Sequence, residues 1–463
     1  MPARFLLGPA GCGKTHRCLE EIREALLQQP EDSLPLLLLA PKQATFQLER
    51  RLLEDPRLPG WSRLQILSFE RLAQQVLLGS QPVELLSEEG RIMVLRALLR
   101  RHEGGLRLFR AAARLNGFAQ ELSRALRELQ SQRVSPRHLE SAAEALPQHP
   151  ALADKLRDLA LLSREYQSWL AEHRLHDPDL LPDLACDQLA RGDCDFRVGG
   201  VWLDGFAQMT PQEIALLTAV VRRSQQATLA FCLESVPDAP EPWRSPWALV
   251  SDTFRRVHLS LASLPGPAPE VLLLPRDPVR GRFAHQPVLR DLESGWCHPQ
   301  VRPLADSGSA LSPIRLLACP NPESEAEVVA RAIRQEIQGG SRYRDLAVLA
   351  RSLETHEPIL RRVFTRYEIP FFIDRREPLA HHPLAEFTRA ALRLPAYRWQ
   401  HEDWFGLLKT GLTPAGMDFV DDLENEALAR GWTGDAWRTA GTPASRFHTP
   451  WDSWVATLTQ PFL

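Results

Sequence analysis

Eight residues near the start of the chain carry the clearest chemistry in the sequence: Gly8-Pro9-Ala10-Gly11-Cys12-Gly13-Lys14-Thr15. Two glycines bracket four residues and Lys-Thr follows, the spacing of a phosphate-binding loop. A triphosphate needs several backbone N–H groups turned inward. Glycine lets the chain curl that closely without a Cβ in the way. On this reading Gly8, Gly11, Cys12 and Gly13 form the cradle, Lys14 reaches the β- and γ-phosphates as a point charge, and Thr15 places its hydroxyl on Mg²⁺. The cofactors to expect are ATP and Mg²⁺. The plainer alternative is a Gly-rich turn that joins a strand to a helix. The flanks have the form the motif demands. Phe5-Leu6-Leu7 is a short apolar run before it, and Leu19, Ile22 and Leu26 recur on one face from Lys14 to Gln29, so a helix N-terminus would point at the phosphates.

A second chemical position is Asp204, which ends the apolar run Gly200-Val201-Trp202-Leu203. At the end of a strand beside a phosphate loop, such an Asp holds Mg²⁺; alternatively, Asp-Gly is simply a turn. A metal role would give Thr15 and Asp204 the ion together, through the nucleotide. The next position matters for hydrolysis. An NTPase of this class uses a Glu there to orient water, and here it is Gly205, which cannot polarise water. Binding without efficient turnover is the expectation. Thr210-Pro211-Gln212-Glu213 reads as a capping box opening a helix, and Glu213 is the nearest other carboxylate that would have to position water if the chain does hydrolyse ATP.

These residues need a parallel α/β sheet to position them. Short apolar runs at Leu36–Ala40 and Leu64–Leu67 are each followed by polar residues and a helix, and Thr228–Leu233 gives a fifth strand. In such a sheet ligands bind at the C-terminal strand ends. Topology therefore puts Gln43, Thr45, Ser68, Phe69 and Arg71 on the functional edge, where each is either a functional contact or an ordinary cap or surface residue. Between residues 85 and 194 strand signals vanish and helical periodicity takes over (Arg91–Arg101, Leu106–Gln130, Asp154–Glu172), an all-helical insertion with solvated charged faces. Residues 1–84 and 195–265 thus make a discontinuous phosphate-loop domain, with 266–312 a Pro-rich irregular connector. A second α/β unit begins over 313–398, with strands at Ile314–Ala318, Leu346–Ala350 and Phe371–Asp374 and helices at Ser324–Gln338 and Glu354–Thr365. Arg351 then stands at a strand end, either a cation for a γ-phosphate across an interdomain cleft or a surface residue capping a carboxylate. His381-His382 are adjacent and share no helix face, so a helix start at Pro383 is the plainer reading. Residues 399–463 read as a Trp-rich helical insertion of the second unit that looks cut rather than finished.

Composition sets bounds. The 463 residues exceed one ordinary domain. A net charge of −3 excludes a globally basic nucleic-acid binder, so any such site must be a local groove. Seven cysteines show no C-x-x-C, which argues against a zinc or iron–sulfur site in this chain, and Cys12 in the phosphate loop suits a reducing compartment. No apolar run approaches the roughly 20 residues that span a bilayer, so no membrane association and a cytoplasmic location are expected.

Several stretches in fixed order carry a resemblance: the phosphate loop, APKQATFQLER at 40–50, LSFERLA at 67–73, the helical insertion, VWLDGFAQMTPQE at 201–213, YRDLAVLAR at 343–351, IPFFIDRREPLAHHPL at 369–384, LLKTGL at 407–412 and DDLENEALARGWTGDAW at 421–437. The chain resembles the AddB family of the bacterial AddAB helicase–nucleases, relatives of the UvrD-like superfamily 1 helicases. The resemblance implies RecA-like helicase-type domains with degenerate motor motifs, an AddA-type partner that carries the main motor, and work on double-strand DNA ends for recombinational repair. It also implies that a polar sheet edge scans single-stranded DNA for a recombination hotspot. By position that edge is Gln43, Thr45, Phe69, Arg71 and Phe206, with Gln74 where family members can carry a Trp. The family's nuclease domain and cluster cysteines would lie beyond residue 463, so no nuclease activity or iron–sulfur cluster is assigned to this chain by itself.

Two other classes compete. A phosphate-loop small-molecule kinase or ATPase would need an Arg-bearing lid and about one compact domain, which the helical insertion and second unit oppose. A nucleotide-independent scaffold would leave the loop vestigial, which the intact Lys14-Thr15 pair opposes. Salt-sensitive binding to single-stranded DNA that weakens when Phe69 and Arg71 become Ala separates the first reading from the kinase.

Overall fold

A computed structural model gives the structure of the chain. It describes residues 3–432 except 29–33, 79–83, 116, 192–193, 278, 280, 297–312, 375–378 and 414. Cys297, the later part of the expected connector, and Trp437, Trp451 and Trp454 lie outside the described residues. The chain divides into two units, Met1–Arg315 and Leu316–Leu463.

The first unit is built from β1 (Ala3–Leu7), α1 (Lys14–Gln28), β2 (Leu36–Leu39), α2 (Thr45–Leu53), β3 (Leu64–Leu67), α3 (Phe69–Leu77), α4 (Glu88–Arg101), α5 (Phe118–Ser131), α6 (Pro136–Glu144), α7 (Pro150–His173), α8 (Leu181–Arg191), β4 (Val198–Leu203), α9 (Pro211–Val221), β5 (Ser224–Phe231), α10 (Ala248–Ala262), β6 (Glu270–Leu273) and α11 (Pro287–Gly295). The six strands form one parallel sheet in the order β3-β2-β4-β5-β1-β6. Helices cover both faces, so the strands read as apolar runs; all four leucines of β2 are buried. Alternation still divides them. Phe5, Leu7, Leu37, Leu39, Val201 and Leu203 face one core with α3, α8, α9 and α10, while Leu6, Leu36, Leu38 and Trp202 face another with α1 and α2. Beneath α1, the Glu21 carboxylate accepts from Arg4 (2.6 Å), Trp202 Nε1 (3.1 Å) and the Thr228 hydroxyl (2.9 Å), pinning the helix that follows the Gly-rich loop to three strands.

Helices α4–α8 form the inserted helical module, with α4–α7 around a core of their own. The expected helix from Leu106 to Gln130 begins only at Phe118. Upstream, the buried carboxylate of Asp158 accepts from the backbone N–H groups of Arg107, Leu108 and Phe109 at 2.8–2.9 Å, giving those donors a partner outside any helix. Arg91 is buried as well, tied to Asp177, Asp179 and Gln130.

Residues 266–312, expected to be an irregular connector, contribute β6 and α11, and β6 extends the sheet beyond β1. Prolines on both sides kept this four-residue run from reading as a strand.

The second unit contains α12 (Pro322–Gln338), α13 (Leu353–Arg366), α14 (Pro383–Ala396), α15 (His401–Leu408) and α16 (Met417–Arg430). α12 and α13 pack through Ala326, Ala330 and Val363, while α14–α16 enclose Trp404, Leu407 and Leu423. The expected strands at Ile314–Ala318, Leu346–Ala350 and Phe371–Asp374 are not formed among the described residues. A strand's backbone groups are satisfied by a neighbour in register, and among the described residues these runs enter no strand pairing; Leu316, Leu349 and Phe372 stand almost fully exposed.

Candidate nucleotide and nucleic-acid site

The loop between β1 and α1 has the backbone its glycines allow. Gly11 and Gly13 adopt φ of +82° and +96°, a region that costs an L-residue about 1–2 kcal/mol. A Cβ on Gly8 would meet the Leu274 carbonyl at 2.5 Å, and one on Gly11 would meet Arg282 Cβ at 2.9 Å. α1 starts at Lys14, so its first N–H groups open onto the loop. Lys14 Nζ donates to the Gly8 and Pro9 carbonyls, both at 2.7 Å, and lies 3.6 Å from Cys12 Sγ.

β4 carries Asp204 to this loop, where the Thr15 hydroxyl donates to Asp204 Oδ2 at 2.6 Å. Burial pushes the Asp204 carboxyl up from the usual carboxylate range, with the Thr15 hydrogen bond and the charge of Lys14 pulling the other way. A carboxylate and a hydroxyl side by side next to a Gly-rich loop are the hard oxygen donors Mg²⁺ takes, so the residues fit that ion. Among the described residues no group of three or more His, Cys, Asp or Glu forms a metal site by itself.

Gly205 follows with φ +87°, and a Cβ there would lie 3.1 Å from Pro41 Cδ. The position thus excludes a comfortable Glu by conformation as well as lacking one. Glu213 is engaged elsewhere: its Oε2 accepts from the Thr210 N–H at 2.8 Å, completing the expected capping box at the start of α9.

A cavity of about 190 Å³ lies against the loop, lined by Gly11, Cys12, Arg276, Arg282, Phe283 and Glu293 among others. Arg276 is held there by Glu293 (2.6 Å) and by Glu234. Sequence reasoning missed these arginines because they lie in the supposed connector. The run Val271–Leu274 just before Arg276 was the available signal.

The polar edge is contiguous because β3, β2 and β4 are neighbours. The Ala40 N–H donates to Leu67 O (3.0 Å) and the Asp204 N–H to Leu39 O (3.1 Å), so the three strand ends lie side by side. Gln43 and Arg71 are exposed, and the Thr45 hydroxyl donates to the Lys42 carbonyl. Lys42 pairs with Glu70, joining the two turns. Ser68 is the N-cap of α3, accepting from the Arg71 N–H. Phe69 is only 4% exposed and meets Phe206 edge to face at 5.2 Å; both rings pack on the core. Arg351 belongs to the second unit, where it is exposed two residues before α13.

No described helix is long and apolar enough to cross a membrane.

Comparison with known proteins adds to this geometry. The family model described as ADDB, N-terminal matches residues 5–293. Among curated proteins the chain is similar to an ATP-dependent helicase/deoxyribonuclease subunit of Moorella thermoacetica, 37% identical over 449 residues, covering 95% of this chain and 38% of that protein. The protein of the same name from Heliobacterium modesticaldum is 38% identical over 448 residues, with 95% and 36% covered. That from Desulforudis audaxviator is 37% identical over 452 residues, with 94% and 37% covered. The chain spans less than two fifths of the length of these relatives. Matched by the family model across the Gly-rich loop, the helical module, Asp204 and β6, the chain belongs to the AddB family.

Proposed function

We propose that this chain is an ATP- and single-stranded-DNA-binding part of a helicase–nuclease subunit. The first unit acts as a RecA-like phosphate-loop domain. The subunit works with an AddA-type partner on double-strand DNA ends for recombinational repair and scans the exported strand for a hotspot. The observation that carries the nucleotide half of this reading is the Thr15–Asp204 pair beside a loop with two glycines at positive φ. Gly8, Gly11, Cys12 and Gly13 cradle the phosphates, Lys14 exchanges its own loop carbonyls for phosphate oxygens, and Arg282 adds a cation from the cavity wall. Thr15 and Asp204 hold Mg²⁺, which neutralises phosphate charge. With Gly205 in the water-orienting position and Glu213 engaged as a cap, the site senses or is stabilised by nucleotide more than it turns it over.

The DNA half is supported by the contiguous edge of Gln43, Thr45, Phe69, Arg71 and Phe206 and by family membership. Gln43 and Arg71 offer base-edge and phosphate contacts, while Phe69 and Phe206 support the turns that present them. The deciding experiment measures ATP binding and hydrolysis side by side, with and without single-stranded DNA, on the wild type and Lys14→Ala. Expected is a loss of affinity of about 10- to 100-fold in the variant and no DNA-stimulated turnover in the wild type. Robust DNA-stimulated hydrolysis by the wild type overturns the non-motor reading, and unchanged ATP affinity in the variant overturns the site.

A further inference from the structure

We propose that Phe46 is a base-stacking residue of the sheet edge, an inference that rests on the single-stranded-DNA reading above. The edge needs an accessible aromatic face, because stacking is what holds unpaired bases without regard to sequence. Phe69 does not supply one: it is 4% exposed and packed against Phe206. Phe46 does, being 71% exposed at the second position of α2.

A single exposed apolar side chain is unremarkable on a protein surface; the place of this one is what matters. It follows the turn after β2, at the C-terminal edge of a parallel sheet, where open α/β folds bind ligands. Its orientation is set from behind. Leu48 and Leu52 are buried one helical turn apart and fix which face of α2 meets the core. Phe46 lies two positions before Leu48, about 200° around the helix, and so faces away from that core. The turn beneath it is braced by the Thr45 hydroxyl on the Lys42 carbonyl and by the Lys42–Glu70 ion pair to α3. The turn that presents the ring is therefore held in place. Near it in the chain stand exposed Gln43, Gln47, Glu49 and Arg50, with Arg71 across the Lys42–Glu70 pair. An exposed ring flanked by amides and a cation suits a nucleic-acid strand, with its flat bases and charged backbone, and Leu53, 50% exposed seven positions on, adds apolar surface to the same face of α2.

The test is fluorescence anisotropy with a labelled oligothymidylate over a salt series, on the full chain as wild type, Phe46→Ala, Phe46→Trp, Phe69→Ala and Arg71→Ala, with thermal unfolding of each. Phe46→Ala should weaken binding about 5- to 150-fold without lowering the unfolding temperature. Its salt slope should stay at the wild-type value, whereas Arg71→Ala should lower the slope by about one. Phe46→Trp should bind at least as well as the wild type. Phe69→Ala should lower the unfolding temperature. Wild-type affinity in Phe46→Ala overturns the proposal and leaves the DNA reading standing. So does a variant that binds DNA normally but no longer associates with the AddA-type partner, because the ring is then a protein contact. A wild type that binds no oligothymidylate overturns the DNA reading itself, and this proposal with it.

Discussion

The Thr15 hydroxyl donates a 2.6 Å hydrogen bond to Asp204 across a sequence separation of 189 residues. If this pair holds Mg²⁺, Asp204→Asn and Thr15→Val should each abolish most of the gain in nucleotide affinity that Mg²⁺ confers, about tenfold or more. Asp204→Asn should not lower the unfolding temperature at neutral pH. Its oxygen can still accept from Thr15, and the buried carboxylate, whose ionisation burial disfavours, is gone. The sign of the pH effect follows. A carboxyl raised above its unfolded value adds stability at low pH that fades as pH rises through its folded value. Thermal unfolding against pH, wild type minus Asp204→Asn, checks this; a variant clearly less stable than the wild type at pH 7 contradicts it.

Restoring the missing carboxylate should not create a motor. Gly205 has φ +87° with Pro41 close by, so Gly205→Ala should cost about 1–2 kcal/mol and Gly205→Glu at least as much. Calorimetry should show a loss of roughly 2–4 °C, and an ATPase assay of Gly205→Glu should show no gain. Fast DNA-dependent hydrolysis by that variant would mean that the side chain alone was lacking.

Asp158 holds the segment between α4 and α5 of the helical module. It is 2% exposed and takes three consecutive backbone N–H groups, so Asp158→Ala should destabilise by about 2–4 kcal/mol. Asp158→Asn should fall between, since one oxygen remains as acceptor. Chemical denaturation monitored by circular dichroism measures both, and equal stability of Ala and wild type would remove the carboxylate from this role.

The thiols should sort by burial. Burial pushes the Cys186 thiol up to about 12 and raises Cys18 strongly too. Below that value the thiolate fraction grows about tenfold per pH unit, so Cys186 alkylation should climb from pH 7 to pH 10 without levelling. Cys12 sits half-buried in the loop between β1 and α1, and if that loop binds ATP its labelling should slow on adding ATP. Peptide mass spectrometry after iodoacetamide gives all the rates; a plateau for Cys186 near pH 9 would refute the assigned environment.

Much was determined by the sequence itself. The spacing of Gly8, Gly11 and Gly13 marks where the chain must turn, and Gly11 and Gly13 do turn. Apolar runs bounded by turn residues mark five strands of the sheet, and the Thr210–Glu213 capping box formed as written. These are local matters of backbone sterics and periodicity, complete within a dozen residues. What only the tertiary structure decided depends on neighbours. β6 exists because β1 offers it a partner, while Leu346–Ala350, as apolar as β2, has none and forms no strand among the described residues. Phe69 and Phe46 are the same residue type on the same edge, yet one helix turns its phenylalanine into the core and the other turns its own outward. Composition and spacing are silent on that choice, because burial is set by which face of each helix meets the sheet. Strand order likewise brought Asp204 to Thr15. The sequence named both residues, and folding made them hydrogen-bond partners.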